Sequence, residues 1–282
     1  MQMIKNIQLK GANGLPVLLD VFFNDETLMQ PVIIYSHGFN GFKDWGNFDL
    51  VAEKFVAAGF AFVKFNFSHN GTTPENPEEF NNLKAFGGNN FTKQLFDLKM
   101  LCDWICDAEN SYARFINRDA LYLLGHSMGG GVSILFAAED IRVKKLITWA
   151  SVGECNTPWG NWPAEKMLEW QKRGVEYYFN GRTKQQMPLY YQLYEDYDQN
   201  RDRFNIWKAI GSLTIPILMC HGTADHSVPV QTAYKLKEWQ PLATLFTLET
   251  DHVFGRKHPW TSAHLPAAMM DVIAESLAFL KL

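Results

Sequence analysis

No stretch of this 282-residue sequence approaches the roughly 18 consecutive apolar residues of a membrane span. The opening MQMIKNIQLK also lacks an apolar core of signal-peptide length. Both absences lead us to expect a cytoplasmic protein with no membrane partner. Cysteine is scarce: Cys102, Cys106, Cys155 and Cys220 form no C-x-x-C pair and none of the spacings a zinc site uses. Free thiols in a reducing compartment, with no metal, are the expectation. Nor does one sign of charge dominate. The 26 basic residues are scattered and the net charge is −4, so there is no basic stripe for a nucleic acid to recognise. Internal repeats and low-complexity segments are missing too.

What is present is a chain of 47% hydrophobic residues, enough for one large core. Residues 3–10 and 17–23 read as two strands joined by the turn GANG, an antiparallel hairpin. Strands and helices then alternate. Strands are predicted at 31–36, 60–67, 121–124, 143–150, 215–220 and 243–249, and helices at 48–58, 91–109, 128–139, near 230–239 and at 265–281. This pattern predicts an α/β fold, an eight-stranded and mostly parallel sheet with helices on both faces. Two stretches interrupt it. Residues 68–90 are rich in Asn, Gly and Pro and read as a long loop. Residues 154–210 hold helix-like patches, no clear strand, six of the ten tyrosines and four of the nine tryptophans. We expect a core of 1–153 and 211–282, with 154–210 inserted as a helical cap. Its aromatics serve either its own packing or the lining of a pocket beneath it.

The most informative stretch is LYLLGHSMGGG, 121–131. Gly125-His126-Ser127-Met128-Gly129 matches G-x-S-x-G, with an apolar strand before it and a helix directly after. A serine on such a turn is pushed outward in strained backbone, above the free N–H groups of a helix N-terminus. That environment suits a nucleophile.

A serine hydroxyl needs an imidazole to take its proton, and the imidazole needs a carboxylate to orient it. In a parallel sheet such groups gather just past the carboxyl ends of strands. Asp225, in ILMCHGTADHSVP, has that position; Asp251 ranks second because it is adjacent in sequence to the candidate base. Of the eight histidines, His252 alone follows the last predicted strand. His126 lies within the elbow, and His37 and His221 beside glycines at strand ends, where packing or loop hydrogen bonds usually account for an imidazole. An oxyanion needs two backbone N–H donors, one from the residue after the nucleophile and one from the loop after an earlier strand. Met128 and Phe39 meet that description.

With HGF, GHSMG, HGTAD and DHVF in this order, the chain resembles the α/β-hydrolase superfamily over nearly its whole length. It is most similar to the capped serine esterases of the cinnamoyl and feruloyl type and to dienelactone-hydrolase-like proteins. The resemblance implies a triad of Ser127, Asp225 and His252, with Phe39 and Met128 as oxyanion donors and no cofactor. Where similar esterases often carry R-G-H-G, this chain has Ser68-His69-Asn70-Gly71. A serine at the elbow also sets it apart from relatives that use aspartate or cysteine there.

Three readings of function follow. The first is a serine carboxylic ester hydrolase acting on small apolar or aromatic esters through an acyl-enzyme. The second is a serine peptidase of the same fold, with Glu154, Glu195 or Asp196 holding a substrate ammonium. The third is a ligand receptor that keeps the pocket without turnover. A small molecule is the expected partner, and a homodimer is compatible with the sequence.

Overall fold

The computed structural model describes residues 1–282. Strands β1 (Gln2–Lys10), β2 (Pro16–Phe23) and β3 (Gln30–Ser36) precede helix α1 (Phe48–Ala57). Then come β4 (Ala61–Asn66), α2 (Leu83–Gly87), α3 (Phe91–Cys106), β5 (Ile116–His126), α4 (Met128–Glu139) and β6 (Val143–Trp149). After β6 lie α5 (Ala164–Arg173), β7 (Val175–Asn180), β8 (Gln185–Tyr190), α6 (Gln192–Gln199) and α7 (Ile206–Ser212). The last elements are β9 (Ile217–Gly222), α8 (Gln231–Trp239), β10 (Thr244–Leu248) and α9 (Ala267–Leu280). Eight strands form one sheet in the order β1-β2-β4-β3-β5-β6-β9-β10. The pairs β1·β2 and β2·β4 are antiparallel, and every pair from β4 to β10 is parallel. The α/β fold and the mostly parallel eight-stranded sheet are as the sequence pattern predicts.

The central strands are apolar on both faces because both faces are covered. Leu123 and Leu146 pack with Leu98 of α3, Val132 of α4 and Ile210 of α7 on one side. Leu124 and Ile147 pack with Phe55 of α1 and Val272 of α9 on the other. No helix is long and apolar enough to cross a membrane. The four cysteines are free; Cys102, Cys155 and Cys220 are buried and Cys106 is half-buried.

Two local expectations need correction. The loop 68–90 contains the short helix α2, started by Asn82, whose side chain accepts from Ala85 N–H at 2.9 Å. The segment 154–210 is not all helical. Val175-Glu-Tyr-Tyr-Phe favours strand, and with Gln185–Tyr190 it forms the antiparallel hairpin β7–β8. Gly174, at φ 70°, stops α5 and turns the chain into β7.

A cluster of buried charges fixes the loop that follows β3. Lys43 and Asp44 of that loop meet Asp20 of β2, Lys64 of β4 and Asp49 of α1. Lys43 Nζ lies 2.7 Å from Asp20 and 2.6 Å from Asp44. Lys64 Nζ lies 3.1 Å from Asp20 and 2.5 Å from Asp49, and also pairs with Asp44. Lys64 and Asp20 are 0% exposed and Lys43 is 1% exposed, so none of the three has water to fall back on. Burial opposes the charge on Lys64, but Asp44, Asp20 and Asp49 outweigh it and raise its pKa. Removing one member would leave unpaired charge in the interior. Lys64→Met is therefore expected to lower unfolding stability by about 3–5 kcal/mol in urea titrations; a loss below about 1 kcal/mol would show that the cluster holds little together.

Candidate active site

At the carboxyl edge of the sheet, the junction of β5 and α4 forces Ser127 into a left-handed backbone, φ 56° and ψ −121°. Such a conformation is strained for a residue with a Cβ and persists only when its surroundings dictate it. Here they do. Ser127 N–H donates to Trp149 O at 2.9 Å, and its carbonyl accepts from Gly130 N–H at 3.0 Å and Val152 N–H at 3.2 Å. Two glycines permit the close approach: a Cβ on Gly129 would stand 2.2 Å from Ser36 O, and one on Gly38 would stand 2.9 Å from Ser127 Cβ. The loop after β3 thus lies directly against Ser127.

His252 follows β10 and Asp225 follows β9, and the two meet. His252 Nδ1 is 2.7 Å from Asp225 Oδ2. The other oxygen, Oδ1, accepts from Ser227 N–H and Val228 N–H, each at 2.8 Å. Burial opposes the Asp225 charge, but hydrogen bonds from His221, His252 and Val228 N–H prevail and hold its carboxyl well below the usual range. It is therefore ionised at neutral pH, and the stability it contributes is lost only as pH falls through its depressed pKa. Asp251 turns away and accepts from Val253 N–H at 3.2 Å and Gly255 N–H at 2.8 Å.

Ser127 and His252 line one cavity of about 170 Å³, together with Tyr35, Trp45, His126 and the loop 37–41. No hydrogen bond joins the Ser127 hydroxyl to His252 in this resting arrangement; such contacts often tighten only when substrate binds. Phe39 N–H makes no hydrogen bond to backbone or side chain. Met128 is the first residue of α4, where an N–H has no acceptor within the helix. Met128 follows Ser127 in the chain, and Phe39 follows Gly38, which lies against Ser127.

Three histidines that sequence reasoning set aside hold this edge together. Each lies at or just past the end of a strand; His126 and His221 donate to carbonyls of other loops, while His37 donates within its own loop and its Nε2 accepts from Phe67 N–H at 3.5 Å. His37 Nδ1 donates to Gly38 O at 2.9 Å, His126 Nε2 to His252 O at 2.9 Å, and His221 Nε2 to Val228 O at 2.8 Å. Burial pushes His37 down to about 4 and His126 well below the usual imidazole range, so both stay neutral donors. Loop hydrogen bonds are the role their sequence positions suggest. Ser68-His69-Asn70-Gly71 is a support as well: Ser68 donates to Asp97 through N–H and Oγ, at 2.8 and 2.7 Å, and Asn70 Nδ2 reaches Gly41 O at 3.4 Å.

Most of the aromatics of 154–210 are not at this cavity. Trp170, fully buried, packs with Trp159 at 5.9 Å, Trp162 at 5.2 Å and Tyr191 at 5.2 Å between ring centroids, forming the segment's own core. Tyr178 of β7 does reach the loop after β3. Its ring lies 5.7 Å from that of Phe39 and its hydroxyl donates to the Asn40 side chain. As for metals, Asp20, Asp44 and Asp49 bring carboxylate oxygens within 4.8 Å of one another. The Lys64 ammonium already takes the position a cation would need.

The family model described as serine aminopeptidase, S33, matches residues 29–205, more than half of the chain, and the chain belongs to that family of α/β-hydrolases. The quorum-quenching protein AidA of Acinetobacter baumannii is 30% identical over 122 residues, 42% of this chain and 34% of that protein. The uncharacterized peptidase YtmA of Bacillus subtilis is 22% identical over 165 residues, 54% of this chain and 58% of that one. This chain thus spans less than two thirds of either curated relative's length. The solved structure of Est1E from Butyrivibrio proteoclasticus with ferulic acid bound superposes with a TM-score of 0.68 at 18% identity, covering 98% of this chain and 100% of that one. At that identity the likeness is one of fold.

The two aspartates give a direct test. Asp225→Asn leaves the imidazole without its carboxylate and is expected to lower kcat for an activated ester by up to about 10⁴, whereas Asp251→Asn should lower it by less than about tenfold. The opposite ranking would give the role to Asp251.

Proposed function

We propose that this α/β-hydrolase is a serine carboxylic ester hydrolase for small apolar or aromatic esters, with Ser127, His252 and Asp225 as its triad and Phe39 and Met128 N–H as its oxyanion donors. The observation that carries the reading is the outward-facing Ser127 hydroxyl sharing a cavity with an imidazole already hydrogen-bonded to an ionised, buried carboxylate. In this mechanism His252 takes the Ser127 proton as the hydroxyl attacks the ester carbonyl. The carbonyl oxygen gathers charge between the two N–H donors, and His252 returns the proton to the departing alcohol. Water activated by the same imidazole then releases the acid. Asp225 fixes the tautomer with Nδ1–H toward itself and Nε2 toward the serine.

The ester preference rests on what surrounds the serine. Its cavity of about 170 Å³ has Tyr35, Phe39 and Trp45 among its walls, which favours an apolar acyl group; Phe39 also borders a crevice of only about 10 Å³, walled by Phe86, Phe91, Met128, Leu189 and Leu193 together with Asn89, Asn90, Gln94 and Thr157. Est1E with its ferulic acid is in keeping with an aromatic one.

The peptidase reading has its own support in the description of the family model and in YtmA. Among the acidic residues proposed for an ammonium, Asp196 is committed to Thr92, accepting from its N–H at 3.1 Å and its hydroxyl at 2.5 Å, and Glu195 is exposed. Glu154 is the one that lines a cavity, a polar one of about 470 Å³ with Asn156, Asn161 and Lys235; that cavity shares no lining residue with the one at Ser127 and only Thr157 with the crevice.

Ser127→Ala is expected to reduce kcat by about 10⁶ and to abolish labelling by a fluorophosphonate; unchanged turnover in the purified variant would refute the mechanism. Across p-nitrophenyl esters, kcat/KM should rise about fourfold per added methylene until the cavity at Ser127 is full, then drop, following about 0.8 kcal/mol for each buried methylene. Aminoacyl arylamides turned over faster than every ester, with loss of activity on neutralising Glu154, would favour the peptidase.

A further inference from the structure

The loop after β3 reaches Ser127 through a tight turn, Gly38-Phe39-Asn40-Gly41, closed by Gly41 N–H donating to Gly38 O at 3.0 Å. Asn40, its third residue, has φ 58°, the left-handed value that a type II turn needs there. Both ends of this turn are held by buried side chains. His37 Nδ1 donates to Gly38 O at 2.9 Å, and Asn70 Nδ2 reaches Gly41 O at 3.4 Å. The tip lacks such support: Phe39 and Asn40 make no backbone–backbone hydrogen bond.

What holds the tip comes from the segment between β6 and β9. Alternation along β7 leaves Tyr177 and Phe179 exposed, at 52% and 56%, and turns Tyr178 to the other face. There its hydroxyl donates to Asn40 Oδ1, and its ring packs 5.7 Å from that of Phe39. Phe86 completes a group of three rings, 5.8 Å from Phe39 and 6.4 Å from Tyr178. Burial raises the Tyr178 pKa above its ordinary value, so the hydroxyl stays a donor. The hairpin that carries it is anchored to the loops beneath. Gln185 Nε2 donates to Phe80 O at 3.0 Å, and the Arg182 guanidinium lies 5.4 Å from the Phe42 ring.

An oxyanion donor acts only where the charge develops, and a displacement of about 1 Å can cost on the order of 10² in rate. Phe39 N–H belongs to a turn whose tip is tethered by one hydroxyl. We propose that Tyr178 is a positioning residue: its hydrogen bond to Asn40 fixes the Gly38–Gly41 turn so that Phe39 N–H meets the oxyanion, which makes the segment between β6 and β9 a working part of catalysis. The inference rests on the role proposed above for Phe39 N–H and on no particular substrate.

Tyr178→Phe removes the hydroxyl and keeps the ring. It is expected to lower kcat for p-nitrophenyl butyrate by about tenfold, less than the roughly 10²–10³ lost with a whole oxyanion donor, and to change KM by less than about twofold. Asn40→Gly keeps the positive φ and removes the acceptor; it should lower kcat at least as much, and the double variant should be no slower than Asn40→Gly alone. Tyr177→Phe, on the exposed face of the same strand, should match the wild type. The second-order rate of labelling by a fluorophosphonate, whose phosphoryl oxygen occupies the same site, should fall in step with kcat. An unchanged kcat in Tyr178→Phe, a raised KM with kcat unchanged, additive losses in the double variant, or an equal loss in Tyr177→Phe overturns the inference. If no ester is turned over, the esterase reading fails, and the labelling rates of wild type and Tyr178→Phe still decide. A wild-type chain that the fluorophosphonate does not label overturns both.

Discussion

The left-handed backbone of Ser127 can be held only because β3, β5 and α4 come within backbone contact of one another. No side chain fits between α4 and the end of β3 at Gly129, and none fits at Gly38 against the serine. Closing that gap exposes the hydroxyl, places the first N–H of α4 beneath it and brings the loop after β3 alongside. The energy stored in the strained serine is offset by the four backbone hydrogen bonds it makes, one to β6, two to α4 and one to the chain just after β6.

A sheet edge made of loops has no ladder to satisfy its backbone groups, so other polar groups must do so. Here the groups are unusually deep. His37, His126 and His221 brace the loops that carry Gly38, His252 and Val228. The Lys43, Asp44, Lys64 and Asp20 cluster ties the first of those loops back to β2 and β4. A salt bridge of this depth is no route to maximal stability, since well-packed apolar residues often do as well. Its effect is to fix one position for a loop that would otherwise have several.

The segment between β6 and β9 combines two separate tasks. Its tryptophans and several of its tyrosines satisfy one another around Trp170, whose Nε1 donates to Leu189 O at 2.7 Å. Other side chains of the segment turn toward the core: Ile210 of α7 onto the sheet, Tyr178 onto Phe39 and Asn40, and Leu189 and Leu193 onto the crevice. A small layer with little area to bury uses large rings for its own cohesion first, because each buries more surface than any aliphatic side chain.

By itself the sequence determined the strand and helix alternation, the elbow at Ser127 and the pairing of Asp225 with His252, because these depend on local patterns: periodicity, glycine spacing and position after a strand. Several features were invisible to that reading. The hairpin β7–β8, whose first strand favours strand by composition, was masked by the helix-like patches on either side of it. Lys64 reads as an interruption in an apolar strand, and only β2, the loop after β3 and α1 supply the carboxylates that let it be buried. Gln94 reads as an ordinary helix residue until α4 and the segment above it close over its carbonyl oxygen. Which aromatics faced inward was likewise decided by tertiary structure. A side chain's surroundings come from elements distant in sequence, and no local pattern carries the identity of a partner a hundred residues away.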